Sequence, residues 1–100
     1  MTTEPLTPAR LRTLQPGETL DYDIDYDEWL NSDDDLVTPP DIVISAAGLD
    51  VPTPVIIESG RALKLWVSAI TPGTYKVTVT TTTRLGRIKQ DEIKVRVKDV

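Results

Sequence analysis

Two arms of alternating polarity near the end of the chain set the frame. In the first, Tyr75, Val77 and Val79 alternate with Lys76, Thr78 and Thr80; in the second, Ile93, Val95 and Val97 alternate with Lys94 and Arg96. Period-2 patterning in residues with branched, stiff side chains marks strands with one dry and one wet face. The link Arg84-Leu85-Gly86 ends in glycine, which supplies the left-handed conformation that closes a three-residue hairpin loop. Placing Thr83 opposite Arg87 sets Tyr75 against Val95 and Val77 against Ile93, so the apolar sides coincide. Ile88 has the wrong parity for the dry face and Asp91 the right one. Either a bulge near Gln90 resets the alternation or Ile88 points outward.

A hairpin cannot bury its apolar face alone, so upstream segments must supply an opposing layer. Leu20, Tyr22, Ile24 and Tyr26 alternate with Asp21, Asp23 and Asp25, predicting a strand with an acidic outer stripe. Asp27 to Asn31 predicts one helical turn capped by Asp25 or Asp27, with Trp29 and Leu30 plugging one end of the core. Ile42 to Ala46 predicts a short buried strand, and Val55-Ile56-Ile57, delayed by Pro54, an edge strand. Ala62 to Ala69 predicts a return strand with Leu63, Leu65, Val67 and Ala69 inward and Lys64, Trp66 and Ser68 outward. An outward Trp66 either anchors an interface or is covered by the amino-terminal segment. Six or seven short strands at this spacing predict an all-β, immunoglobulin-like β-sandwich of about seven strands, with a small closed barrel as the alternative. The domain is expected over residues 20–100. Residues 1–19, rich in Thr and Pro, are expected as an extended N-terminal arm in which Arg10, Leu11, Arg12 and Leu14 form a basic and apolar patch that docks on a partner.

Composition narrows the chemistry. The 100 residues hold no Cys and no His, which removes disulfides, thiolate metal sites and the commonest general base. No run reaches membrane-spanning length, and no signal-peptide core is present. The net charge of −5 is unevenly spread: residues 1–50 hold twelve acids and two bases, residues 51–100 four acids and nine bases. An acidic whole argues against nucleic-acid binding. The row Asp21, Asp23 and Asp25 calls for cationic neighbours, and Lys94, Arg96 and Lys98 form a matching row, either within one subunit or between subunits. An EF-hand loop fails, because no register places the required glycine. A glycosidase pair of carboxylates is conceivable by distance, but nothing suggests a cleft. No cofactor and no catalytic or metal-binding residue is expected. A carbohydrate-binding platform would want more aromatics than two Trp and three Tyr.

The run from Pro16 to Leu30, with its Leu-Asp-Tyr opening and acid-rich stretch before Trp29-Leu30, resembles the start of small tailed-phage fibre–tail adaptor proteins. Gly48-Leu49-Asp50-Val51, Leu65-Trp66-Val67-Ser68 and Gly73-Thr74-Tyr75-Lys76-Val77, followed by Thr80 to Thr83 and Gly86-Arg87, resemble later pieces of that family in the same order. The resemblance implies a virion structural protein at tail or neck, made in the host cytoplasm. It would join tail fibre to tail tube or connector, as a homo-oligomeric ring with no nucleic-acid or membrane partner. A capsid decoration or head-completion protein of the same fold is the alternative. The expected contact residues are Arg10, Leu11, Arg12, Leu14, Asp21, Asp23, Asp25 and Trp66.

Overall fold

The computed structural model describes residues 10–99. Eight strands are present among them: β1 (Arg10–Leu14), β2 (Thr19–Asp25), β3 (Asp41–Ile44), β4 (Leu49–Asp50), β5 (Val55–Ile57), β6 (Ala62–Ala69), β7 (Gly73–Thr82) and β8 (Ile88–Val97). One sheet runs β1-β8-β7-β3; the other runs β2-β6-β4, with β5 also on β6. The two sheets form a β-sandwich, and the closed barrel is not adopted. Its core is built from the inward residues of both layers, among them Ile24, Leu63, Leu65, Val67, Val77, Val79 and Val95, each 2% exposed or less.

The β7–β8 hairpin has the expected register, with Tyr75 against Val95 and Val77 against Ile93. Thr83 N–H donates to the Arg87 carbonyl at 2.8 Å, and Gly86 takes φ +94°, the left-handed turn that a Cβ would strain. Pairing continues without interruption from Gly73↔Val97 to Thr82↔Ile88. Hence Ile88 points outward, 68% exposed, and Lys89 and Asp91 point into the core.

Two expectations are corrected, and one of two open alternatives is closed. Ile42 to Ala46 is not a buried strand: β3 lies at a sheet edge, and its central Val43 is 63% exposed. Leu20, expected in the core, is 41% exposed near the start of β2, while Ile24 on the same face of that edge strand is buried. The acidic row of β2 and the basic row of β8 do not meet within the chain, since the two strands belong to different sheets. The neighbour of β8 is instead β1, which pairs with it in parallel from Arg10↔Ile93 to Leu14↔Val97. This segment, expected within the arm, finds the unpaired edge of the chain's own last strand. Leu14 then falls on the inward face and is 1% exposed. The remainder of the expected arm, residues 1–9, lies outside the described residues.

Gly48 shows how two distant segments lock. Its φ is +134°, and a Cβ there would overlap the Tyr75 hydroxyl, which donates to the Thr71 carbonyl at 2.7 Å. Glycine at 48 is therefore required by the ring that closes this end of the core.

Candidate interaction faces

Alternation along β2 and β6 sorts their side chains into core and surface. The outer surface carries Asp21, Asp23 and Asp25 from β2, which face Trp66, Lys64 and Ala62 of β6 in the Cα register. Asp50 of β4 joins them opposite Ser68. Lys64 Nζ reaches both Asp21 (2.9 Å) and Asp23 (3.0 Å). The hydrogen bond from Lys64 holds the Asp21 carboxyl below its ordinary range, and the two carboxylates raise the lysine in turn. Four carboxylates against one ammonium leave this surface at −3. Trp66 stands in it 43% exposed, an apolar ring framed by acids.

Toward the end of β2 the chain turns. Asp25 Oδ1 accepts the Asp27 N–H at 2.9 Å, and Leu30 N–H bonds back to the Tyr26 carbonyl at 2.9 Å, giving the expected capped turn. Leu30 is buried and Trp29 packs against the core, as the plug reading required. Beside this turn an open depression of about 430 Å³ is lined by Asp23, Asp25, Asp27, Ile57, Glu58, Arg61 and Ala62. Arg61 crosses it to pair with Asp27 and to donate to the Asp34 carbonyl at 3.0 Å. Arg61 thus ties β2, the acidic loop and the start of β6 together.

That loop is built as a clasp on the hairpin tip. Asp34 is 2% exposed, and its Oδ1 accepts the N–H groups of Asp35 (2.9 Å) and Leu85 (3.1 Å). Burial opposes its ionisation, but the nearby Thr83 hydroxyl and these backbone N–H groups outweigh it and hold the carboxyl below its usual range. Arg84 Nε completes the clasp on Asp35 at 2.9 Å. The same end holds a polar cluster that the sequence pattern missed. Tyr26 donates to Asp91 Oδ2 at 2.9 Å, Lys89 Nζ lies 3.8 Å from Asp91 Oδ1, and Arg87 stacks 4.2 Å from the Trp29 ring centroid. Burial pushes both the Tyr26 hydroxyl and the Asp91 carboxyl upward. The signal was there in the core parity of Asp91.

The predicted contact residues are distributed unevenly. Asp21, Asp23, Asp25 and Trp66 come together on one surface. Leu14 belongs to the core and offers no contact surface. Arg12 lies 4.8 Å from the Tyr22 ring centroid, a cation stacked on an aromatic of its own chain. The side chains of Arg10 and Leu11 lie outside what the structure describes.

On the opposite sheet the outer surface is basic. Lys76 faces Lys94 directly, and Thr74 faces Arg96. Glu92 lies 3.6 Å from Lys76, and Lys98 continues the row beyond β8. Among the described residues, Lys94, Arg96 and Lys98 make no ion pair, and no group of three or more potential metal ligands is assembled.

The fold is a two-sheet sandwich whose outer faces carry opposite charge. The chain belongs to the family of podophage GP4 fibre–tail adaptor proteins (gp77), whose model matches residues 14–96. This membership makes it a structural protein of the phage tail that contacts other virion proteins. Among solved structures it is similar to the solution structure of Amebosin, at 16% identity and a TM-score of 0.52 over 88% of each chain. That likeness speaks for the fold alone. No curated protein matches the chain.

Proposed function

We propose that this protein is the adaptor that couples tail fibre to tail, acting through protein–protein contacts and without catalysis. The observation that carries the reading is the family match across residues 14–96, which covers β2 to β7 entire, all but the last residue of β8, and the last residue of β1. The architecture supports it. The loops are clasped by Asp34, Arg61 and Arg84, so the surfaces are presented by a rigid frame. Several copies are proposed to close a ring at the tail, with Asp21, Asp23, Asp25 and Trp66 as contact residues. A rigid domain with one face toward the tail and another toward the fibre needs no order–disorder change to bind.

Imaging of purified particles carrying a tagged chain tests this. Extra density is expected where fibres join the tail, and particles assembled without the chain are expected to keep their heads and lose their fibres. Tag density on the head shell, or fibres attached in the absence of the chain, would overturn the reading.

A further inference from the structure

The two outer faces of the sandwich carry opposite charge and lie on opposite sides of one rigid body. We infer that the acidic face, Asp21, Asp23, Asp25 and Asp50 around Trp66, is the docking surface for the basic face, Lys76, Lys94, Arg96 and Lys98, of a second copy of this chain. The inference rests on the adaptor reading only for its setting, since the complementarity belongs to the chain itself.

Three observations choose the occupant. First, the basic face holds its cations at a cost: Lys76 and Lys94 stand directly opposite each other across the β7–β8 pair, where like charges destabilise a sheet. Among the described residues Glu92 answers them, 3.6 Å from Lys76. Second, the acidic face is likewise uncompensated, because Lys64 neutralises part of Asp21 and Asp23 while Asp25 and Asp50 have no cation among the described residues. Third, Trp66 presents an exposed ring within that face, the surface on which an arginine or lysine stacks. Among the described residues Arg96 makes no ion pair that would compete. A tryptophan matched by an arginine is the pairing that anchors interfaces, and rim charges around it set register and encounter rate.

The geometry fixes the kind of assembly. Because the two surfaces differ and lie on opposite sheets, each copy offers its acidic side to one neighbour and its basic side to the other. Such a heterologous contact propagates head to tail and closes into a ring when the rotation per copy permits. The sheet edges stay outside the contact and remain free for other partners.

Sedimentation velocity on the full chain tests the inference. Association is expected at about 0.1 M salt and is expected to fade at about 1 M, where the screening length drops from about 10 Å to about 3 Å. The variants Asp25→Lys with Asp50→Lys, and Lys94→Glu with Arg96→Glu, are each expected to weaken self-association about tenfold or more. An equal mixture of the two is expected to recover a one-to-one pair. The acidic face of the second variant and the basic face of the first are both unaltered, and misfolding cannot produce that recovery. Trp66→Ala alone is expected to weaken the wild-type contact without a change in charge. A chain that stays monomeric at low salt, variants that associate like the wild type, or a mixture that stays monomeric would each overturn the inference. Particle imaging separates this from the adaptor reading. Tail density from a chain that is monomeric in solution sinks the face-to-face contact alone. A self-associating chain found away from tails sinks the adaptor reading alone.

Discussion

The two ends of the sandwich interior share one backbone geometry and hold opposite chemistry. At the end closed by Tyr75, the inward positions of β7 and β8 are Tyr75, Val77, Ile93, Val95 and Val97, and stability there comes from apolar area removed from water. Further along the same two strands the inward positions are Thr81, Thr83, Lys89 and Asp91, which are as thoroughly buried. That end holds because most of its polar groups are answered: Asp91 by Tyr26 and Lys89, and Asp34 Oδ1 by the backbone of Asp35 and Leu85, while Asp34 Oδ2 stays buried without a partner among the described residues. Strand alternation decides which side chains go inside. Whether the interior is oily or ionic depends on which partners the opposite layer offers.

The apolar end is expected to respond to lost volume most strongly. Leu65→Ala, at a fully buried position, is expected to cost about 2–5 kcal/mol, read as a lower urea midpoint with unchanged slope. Gly48→Ala forces the Tyr75 ring from its seat and adds strain at a positive φ, for an expected loss of about 1–3 kcal/mol in the same measurement. At the polar end shape matters less than pairing. Tyr26→Phe keeps the ring but strips Asp91 of its donor, with an expected cost of about 1–3 kcal/mol. If Tyr26→Phe proves harmless while Leu65→Ala is severe, the polar end is solvated and the contrast drawn here fails.

Titration sharpens the comparison. The Asp91 carboxyl is raised above 3.8 by burial, so the native state holds its proton more tightly than the unfolded chain does. Its contribution to stability is full below 3.8 and falls as pH rises through the native value. Asp91→Asn lacks that fall. Whatever constant offset the loss of the Lys89 partner adds, the variant is expected to gain on the wild type as pH increases through this window, measured by denaturant unfolding at several pH values. An offset that does not change with pH would place Asp91 in water. Smallest of all is Trp66→Ala, expected to shift the unfolding free energy by no more than about 0.5 kcal/mol because the ring touches the surface and not the core.

These contrasts also mark what could be read from the chain before folding. The hairpin register, the inward face of β6 and the capped turn after Asp25 were legible because local alternation and turn chemistry specify them. The partner of β8 was not. Nothing local distinguishes a five-residue strand at Arg10–Leu14 from loose chain among prolines; it becomes a strand because an open edge is waiting. The acidic stripe and the basic row were both visible, but whether they meet within one subunit or between subunits was not. Parity gives the face of a strand and says nothing of which sheet it joins. Asp91 was flagged by parity and left undecided, since only the opposing layer reveals Tyr26 beside it.

The parallel union of β1 and β8 has a temporal consequence. Arg10 pairs with Ile93, so the first described strand finds its place only after β8 has been synthesised. Until β8 emerges during translation, Leu14 has no seat. Pairings this distant in sequence form slowly because the intervening loop must be closed first. The sandwich is therefore completed as a late, all-at-once event, and a nascent chain lacking its last dozen residues would expose Leu14 and the inward side of β7 together.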